Sequence, residues 1–185
     1  IERRGSAQCK SSVILAALST PGKTIIKAKK SRDHTELFLK YLRLPIKIER
    51  KNKYDLIEIN GQVQFKSFDY FVPGDASSSA FFIVLTLLLK NSKLKIKNVN
   101  INPSRIGFIK IINKMGGKIK FTNKKTIYGE KVADVCVKSQ KNFKSINCPV
   151  DLNSSAIDEF LLIFLLASKA SGVSSFKNLE ELDKK

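Results

Sequence analysis

The stretch "GSAQCKSSVILAAL", residues 5–18, places small and polar residues directly before a long apolar run. Ser and Gly are poor residues inside a helix but are favourable at its start. A helix start also presents unpaired backbone N–H groups and a partial positive charge, which together attract phosphate and carboxylate groups. Ser6, Ala7 and Gln8 are therefore either a plain helix cap or part of a binding site for an anion.

Metal and disulfide chemistry have little support in the sequence. The three cysteines form no CxxC pair, and His34 is the single histidine. Such a set cannot complete a usual zinc cluster, so we predict no metal site. Sparse, odd-numbered cysteines are typical of a reducing, intracellular compartment. The cysteines are Cys9, Cys136 and Cys148.

The chain is strongly basic, with a formal net charge of +18 over 185 residues. This charge suits nucleic acid, an acidic membrane surface or small anionic substrates. A nucleic-acid-binding module would show clustered Arg and exposed aromatic residues. Here Lys dominates and most aromatics are Phe within apolar runs, so we attribute most of the charge to solvated Lys faces. The longest apolar runs, 80–89 and 160–167, are too short for a transmembrane helix of about 20 residues.

The small-residue opening recurs, because "GDASSSAFFIVLTLLL" begins at Gly74, 69 residues after Gly5. Hydrophobic periodicity predicts the same order in both copies: helix, strand, helix, strand, strand. The predicted bounds in the first copy are 6–19, 23–28, 33–42, 45–50 and 55–61. Those in the second copy are 74–89, 93–99, 104–117, 118–121 and 132–139. A third copy starts with a helix over 154–171 and a strand over 173–179. The sequence therefore predicts about two and a half copies of one α/β unit.

The helices and strands of these copies differ in polarity. The helix containing Phe81 and Phe82 is apolar nearly all round, which predicts burial on every side. The strand 93–99 alternates instead, with lysines on one face and Leu94 and Ile96 on the other. This pattern predicts a sheet with one solvent-exposed face. The fold class is thus α/β, with helices central and sheets outside.

Several motifs, taken in order, resemble the middle of the 5-enolpyruvylshikimate-3-phosphate synthase family, in a form closest to a bacterial branch. They are "GSAQCKSSVILAAL", "SRDHTELFLKYL", "VPGDASSSAFF", "NPSRIGFIKIINKMGGKI", "AIDEFLLIFLLA" and "LEEL". The resemblance implies the enolpyruvyl transferase fold, whose two domains each contain three β/α units with inward helices and outward sheets. Residues 1–71 would be the last unit of the first domain, and residues 72–185 the first one and a half units of the second.

The resemblance also implies a reaction. The enolpyruvyl (carboxyvinyl) group of phosphoenolpyruvate moves to the 5-hydroxyl of shikimate 3-phosphate, by addition and then elimination of phosphate, in chorismate biosynthesis. It implies no cofactor, a cytoplasmic monomer, two small anionic substrates, and neither nucleic acid nor membrane as a partner. The nearest rival is the sister transferase that acts on UDP-N-acetylglucosamine, and the S-A-Q and RDHTE residues argue against it.

The resemblance assigns the first group of site residues to substrate binding. Ser6, Ala7 and Gln8 match a family S-A-Q motif that contacts shikimate 3-phosphate, and the glutamine also reaches the second substrate. Arg32 in "SRDHTE" matches an arginine that binds the phosphate of shikimate 3-phosphate, a role that suits the bidentate fork of guanidinium. The simpler alternative for Arg32 is a surface pair with Asp33 or Glu36.

The second group lies near the end of the chain. Asp158 in "AIDEF" matches the family's catalytic aspartate, proposed as the base for the 5-hydroxyl, and burial beside an apolar helix would make it a better proton acceptor. The alternative is an ordinary aspartate in a first helical turn. The neighbouring Glu159 is not expected to be the catalytic carboxylate. Lys185 matches a substrate-contacting lysine. The rest of the family's site has no counterpart here, so we expect this chain alone to be an inactive fragment.

Overall fold

The computed structural model describes residues 1, 3, 5–64, 66–180 and 182, and the chain divides into two compact units. Unit 1 comprises Ile1–Phe71 with Tyr128–Glu130, and unit 2 comprises Val72–Ile127 with Lys131–Lys185. Unit 1 holds the first predicted copy, and unit 2 holds most of the second copy and the third.

Unit 1 is a three-stranded sheet with two helices. Its elements are α1 (Ala7–Ser19), β1 (Lys23–Lys29), α2 (His34–Tyr41), β2 (Ile46–Arg50) and β3 (Tyr54–Asn60). Strand β3 is central and runs antiparallel to both neighbours. Alternate residues of β3, including Ile57 and Ile59, are fully buried and join Ile14 of α1 and Leu39 of α2 in one apolar core. The sheet thus fixes the two helices on its inner face.

Unit 2 repeats this plan. Its first five elements are α3 (Ala76–Leu88), β4 (Lys93–Asn100), α4 (Gly107–Lys114), β5 (Lys118–Ile127) and β6 (Glu130–Lys138). The sheet order β4-β6-β5 reproduces the order β1-β3-β2, again with the last strand in the middle. Lys93, Lys95 and Lys97 are exposed while Leu94 and Ile96 are half-buried, as the alternation predicted. The predicted repeat of one α/β unit is confirmed.

The third copy differs from its prediction. It contains β7 (Phe143–Lys144), α5 (Asn153–Ala156), α6 (Phe160–Ala167) and β8 (Ala170–Ser171), and β7 pairs with β8 in parallel. The continuous helix expected over 154–171 is wrong, because a 3₁₀ turn at Ile157–Glu159 separates α5 from α6.

The strand expected over 173–179 is also wrong. Gly172 has a φ of +92°, a left-handed conformation that ends β8 and turns the chain. Within the expected range, Ser175 forms an isolated bridge to Asn147.

The helices are not buried on every side within the described residues. Phe81 of α3 is 64% exposed and Leu161 of α6 is 72% exposed, and Leu15 of α1 is also exposed. The described residues therefore leave an apolar face uncovered on each of these three helices. No helix among those residues has both the length and the hydropathy to span a membrane.

Candidate anion site at the start of α1

The start of α1 is a capped helix N-terminus without acidic residues in its first turn. Ser6 has an extended backbone, and its Oγ accepts a hydrogen bond from the Cys9 N–H at 3.2 Å. The same hydroxyl lies 3.4 Å from the Gln8 side-chain oxygen, to which it can donate. The polar groups of the S-A-Q stretch therefore lie together at the end of the helix where the partial charge is positive.

The segment after β1 lies beside this helix start. Gly5 has a φ of +80°, and a side chain there would stand 3.5 Å from the carbonyl oxygen of Lys30. Arg32 follows Lys30 by two residues, and two residues of extended chain span at most about 7 Å. The structure therefore brings Ser6, Ala7, Gln8 and Arg32 into one region of unit 1.

Ser31 is a polar residue of this region that the sequence reading missed. Its Oγ is buried and has no hydrogen-bond partner among the described residues. A buried hydroxyl without a partner is costly, so such a group is a candidate to bind a ligand. The signal that could have revealed Ser31 is the Ser-Arg pair, which occurs at 31–32 and again at 104–105.

Unit 2 contains the equivalent helix start, and there it holds an anion of the chain itself. Asp75 is the N-cap of α3, as Ser6 is of α1, and Arg105 stands one residue before the N-cap of α4, as Arg32 does before that of α2. Arg105 Nη2 donates to Asp75 Oδ1 at 2.6 Å and to Ser77 Oγ at 2.7 Å. Ser78 donates to Asp75 Oδ2 through its N–H at 2.7 Å and through its hydroxyl at 2.8 Å. Asp75 thus caps α3 with its carboxylate.

The electrostatics of Asp75 show how well this arrangement suits an anion. Partial burial acts to raise the pKa of its carboxyl. The hydrogen bonds from Ser78 and the charge of Arg105 outweigh burial and hold that pKa below its ordinary value. A helix start with a neighbouring arginine therefore stabilises negative charge in this fold.

The two units differ at the residue that supplies the charge. The N-cap of α3 is a carboxylate, whereas the N-cap of α1 is the neutral Ser6. The hydroxyl of Ser104 donates to Asn102 at 2.8 Å, whereas that of its equivalent, Ser31, has no such partner. At these two positions unit 1 therefore has an uncharged cap and a buried hydroxyl without a partner among the described residues.

Similarity to known proteins agrees with this chemistry. A family model described as EPSP synthase (3-phosphoshikimate 1-carboxyvinyltransferase) matches residues 3–185. The chain belongs to the EPSP synthase family. The motif resemblance and the α/β fold class predicted from the sequence are confirmed.

Similar curated proteins carry the same name. The chain is 39% identical over 178 residues to the 3-phosphoshikimate 1-carboxyvinyltransferase of Zymomonas mobilis, covering 96% of this chain and 39% of that protein. It is 41% identical over 179 residues to the enzyme of that name from Petrotoga mobilis, covering 96% of this chain and 40% of that protein. The chain therefore spans about two fifths of the length of these relatives.

Solved structures give the same picture. The EPSP synthase of Acinetobacter baumannii superposes with a TM-score of 0.85 at 32% identity, covering 96% of this chain and 39% of that one. The enolpyruvyl transferase NikO of Streptomyces tendae superposes with a TM-score of 0.55 at 15% identity, a likeness of fold alone.

The family's other expected site residues fall in unit 2. Asp158 lies in the turn before α6 and is exposed, so the burial expected to strengthen it as a base is not present among the described residues. Glu159, which was not expected to be catalytic, is only 3% exposed. Lys185 lies outside the described residues. The described part of the chain contains no cluster of three His, Cys, Asp or Glu side chains that could hold a metal ion.

Proposed function

We propose that this chain is part of a 3-phosphoshikimate 1-carboxyvinyltransferase and supplies the pocket for the phosphate of shikimate 3-phosphate. The observation that carries this proposal is the difference between Ser6 and Asp75. The same helix start that binds the chain's own carboxylate in unit 2 has a neutral cap in unit 1, beside Arg32. A dianionic phosphate fits a helix N-terminus and an arginine fork.

Each residue has a distinct role in the proposed pocket. Backbone N–H groups of the first turn, the Ser6 hydroxyl and the Arg32 guanidinium hold the phosphate, and the buried Ser31 hydroxyl adds a donor. The Gln8 amide can both donate and accept, so it can orient a substrate hydroxyl or the second substrate. Fixing the phosphate in this way places the rest of shikimate 3-phosphate for the reaction.

The proposed reaction adds the 5-hydroxyl of shikimate 3-phosphate to phosphoenolpyruvate and then eliminates phosphate. Asp158 accepts the hydroxyl proton, which requires that further residues or the substrates cover its exposed carboxylate. Lys185 is proposed to contact substrate. We further propose that the protein works as a cytoplasmic monomer on these two small anions. The rival acceptor, UDP-N-acetylglucosamine, is less favoured because the curated relatives are named for 3-phosphoshikimate.

A chimera tests the proposal. Residues 3–185 replace the aligned segment of the Zymomonas mobilis relative, and the product is assayed for phosphate release from shikimate 3-phosphate and phosphoenolpyruvate. We expect activity that is lost in the Arg32→Ala chimera, while the 185-residue chain alone gives no turnover. A folded chimera without activity, or turnover by the isolated chain, would contradict the proposed division of the site.

A further inference from the structure

Unit 1 contains a buried ion pair one helical turn behind the proposed phosphate pocket. The Lys10 Nζ of α1 lies 2.6 Å from Glu36 Oε1 of α2, and the two side chains are 0% and 1% exposed. Lys10 stands four residues after Ser6, and Glu36 stands four residues after Arg32. The pair therefore joins the two helices directly behind the two groups that are proposed to bind phosphate.

A second polar contact lies next to the first. Ser11 Oγ and Thr35 Oγ1 are 2.6 Å apart and share a hydrogen bond. Ser11 follows Lys10 in α1, and Thr35 precedes Glu36 in α2, so the two contacts are adjacent on both helices. We call these four residues the α1–α2 clamp.

The fold itself does not require this clamp, because unit 2 builds the same helix pair without it. Counted from the N-caps, Lys10 corresponds to Ser79 and Glu36 corresponds to Ile109, while Ser11 and Thr35 correspond to Ala80 and Phe108. All four unit 2 residues are buried, and the hydroxyl of Ser79 bonds within its own helix, to the Ala76 carbonyl at 2.6 Å. The equivalent positions of unit 2 are thus buried and uncharged.

Buried ion pairs are weak devices for stability, since desolvation offsets their attraction and apolar replacements are often neutral or better. What they add is a penalty for separating the two charges. Two apolar surfaces can slide by a fraction of an ångström at small cost, whereas a buried ammonium and carboxylate that separate are left unpaired in an apolar core. The clamp therefore opposes sliding of α1 against α2.

We propose that Lys10, Glu36, Ser11 and Thr35 are positioning residues, which hold the start of α1 and Arg32 in the register that binds the phosphate. This inference rests on the proposed function. None of the four needs to touch the substrate. A displacement of about 1 Å at a site that binds a rigid anion can cost a large factor in affinity or rate, so the clamp acts on binding through the geometry of Ser6 and Arg32.

The test replaces the charges with an apolar pair of similar size, Lys10→Met with Glu36→Leu, in the chimeric enzyme. Calorimetry measures the affinity for shikimate 3-phosphate and for unphosphorylated shikimate, and thermal unfolding measures stability. We expect a melting temperature close to that of the parent, about tenfold weaker binding of shikimate 3-phosphate, and little change for shikimate. The exchanged pair, Lys10→Glu with Glu36→Lys, keeps an ion pair and should recover part of the affinity.

Control variants separate the possible outcomes. Ser79→Ala with Ile109→Leu makes conservative changes at the equivalent unit 2 positions and should leave affinity unchanged. If the variant with the apolar pair fails to fold, the test uses Ser11→Ala with Thr35→Val instead. This variant should bind shikimate 3-phosphate a few fold more weakly. If a folded clamp variant binds shikimate 3-phosphate as the parent does while Arg32→Ala weakens binding, the proposed positioning role of the clamp is wrong. Parent-like affinity in Arg32→Ala would instead contradict the proposed phosphate pocket.

Discussion

Arg105 and Asp75, 30 residues apart in the chain, form a 2.6 Å ion pair across the starts of two neighbouring helices. The carboxylate also accepts two hydrogen bonds from Ser78, so it occupies the anion position that a helix N-terminus offers. Internal repetition makes this pair informative about unit 1, where Ser6 and Arg32 hold the equivalent positions. The pair in unit 2 thus shows the kind of group that the equivalent position of unit 1 is proposed to bind from solution.

Ser6→Asp should convert unit 1 into the arrangement of unit 2. Asp and Ser are comparable N-caps, so the free energy of unfolding should stay within about 0.5 kcal/mol or rise. The new carboxylate would pair with Arg32 and repel phosphate, so shikimate 3-phosphate should bind at least about ten- to a hundred-fold more weakly, the value of a lost charge-assisted hydrogen bond. Calorimetric titration and denaturant unfolding of the chimera measure both quantities.

Ser6→Ala is the matched control for that experiment. It removes the cap hydroxyl without adding charge, and it should cost about 1 kcal/mol of stability while weakening binding less than Ser6→Asp. If both variants bind shikimate 3-phosphate as the parent does, Ser6 is a helix cap and has no part in binding.

Asp158→Asn and Glu159→Gln should have opposite signatures. The proposed base, Asp158, is exposed, so its replacement should affect stability less than that of Glu159 and lower kcat about 10²–10⁴-fold in the chimera. Glu159 is buried, so its replacement should mainly lower the melting temperature, with a small effect on kcat. Steady-state kinetics and thermal unfolding distinguish the two, and equal kcat losses would show that the base is wrongly assigned.

The sequence predicted most closely the bounds of those elements in which polar and apolar residues follow a single helix or strand pattern. The α1 and β4 bounds came within about a residue of the structure, because a small polar cap and strict Lys alternation mark them directly. The break between α5 and α6 escaped prediction, since no Gly or Pro between 153 and 167 marks it and it shows only in the backbone of Ala156, with a φ of −128°.

Residues of the proposed site could be named from the sequence only in part, for a similar reason. Cap and arginine motifs lie within short stretches, so Ser6 and Arg32 could be named from the sequence. The Lys10–Glu36 pair could not, because 26 residues separate its partners and an isolated Lys in an amphipathic stretch predicts an exposed side chain. Only the tertiary packing of α1 against α2 shows that both charges are buried.

Asp134 should make unit 2 sensitive to acid. Its carboxylate accepts hydrogen bonds from the Asn98 N–H at 3.1 Å and the Asn123 amide at 2.8 Å, and with Lys95 nearby these lower its pKa to about 2. A depressed pKa stabilises the fold above the ordinary pKa of 3.8, and this contribution is lost as pH falls from about 4 to 2. The stability of Asp134→Asn should therefore fall less steeply with decreasing pH over that interval. Acid unfolding followed by circular dichroism measures this. An identical dependence in both proteins would show that these bonds do not favour the ionised carboxylate.

Asp75→Ser should open, in unit 2, the anion site that the chain's own carboxylate fills. The substitution gives α3 the neutral cap that α1 has and leaves Arg105 with the Ser77 hydroxyl at 2.7 Å. We expect one additional inorganic phosphate to bind in the millimolar range, about −4 kcal/mol, and binding should weaken with rising salt because it is electrostatic. Calorimetric titration of the chimera with phosphate, with and without the substitution, measures the added site. Asp75→Ser with Arg105→Gln is the matched control and should abolish the added binding. If Asp75→Ser binds no more phosphate than its parent, the helix start of unit 2 is not the counterpart of the proposed phosphate pocket, and the comparison between Ser6 and Asp75 loses its force.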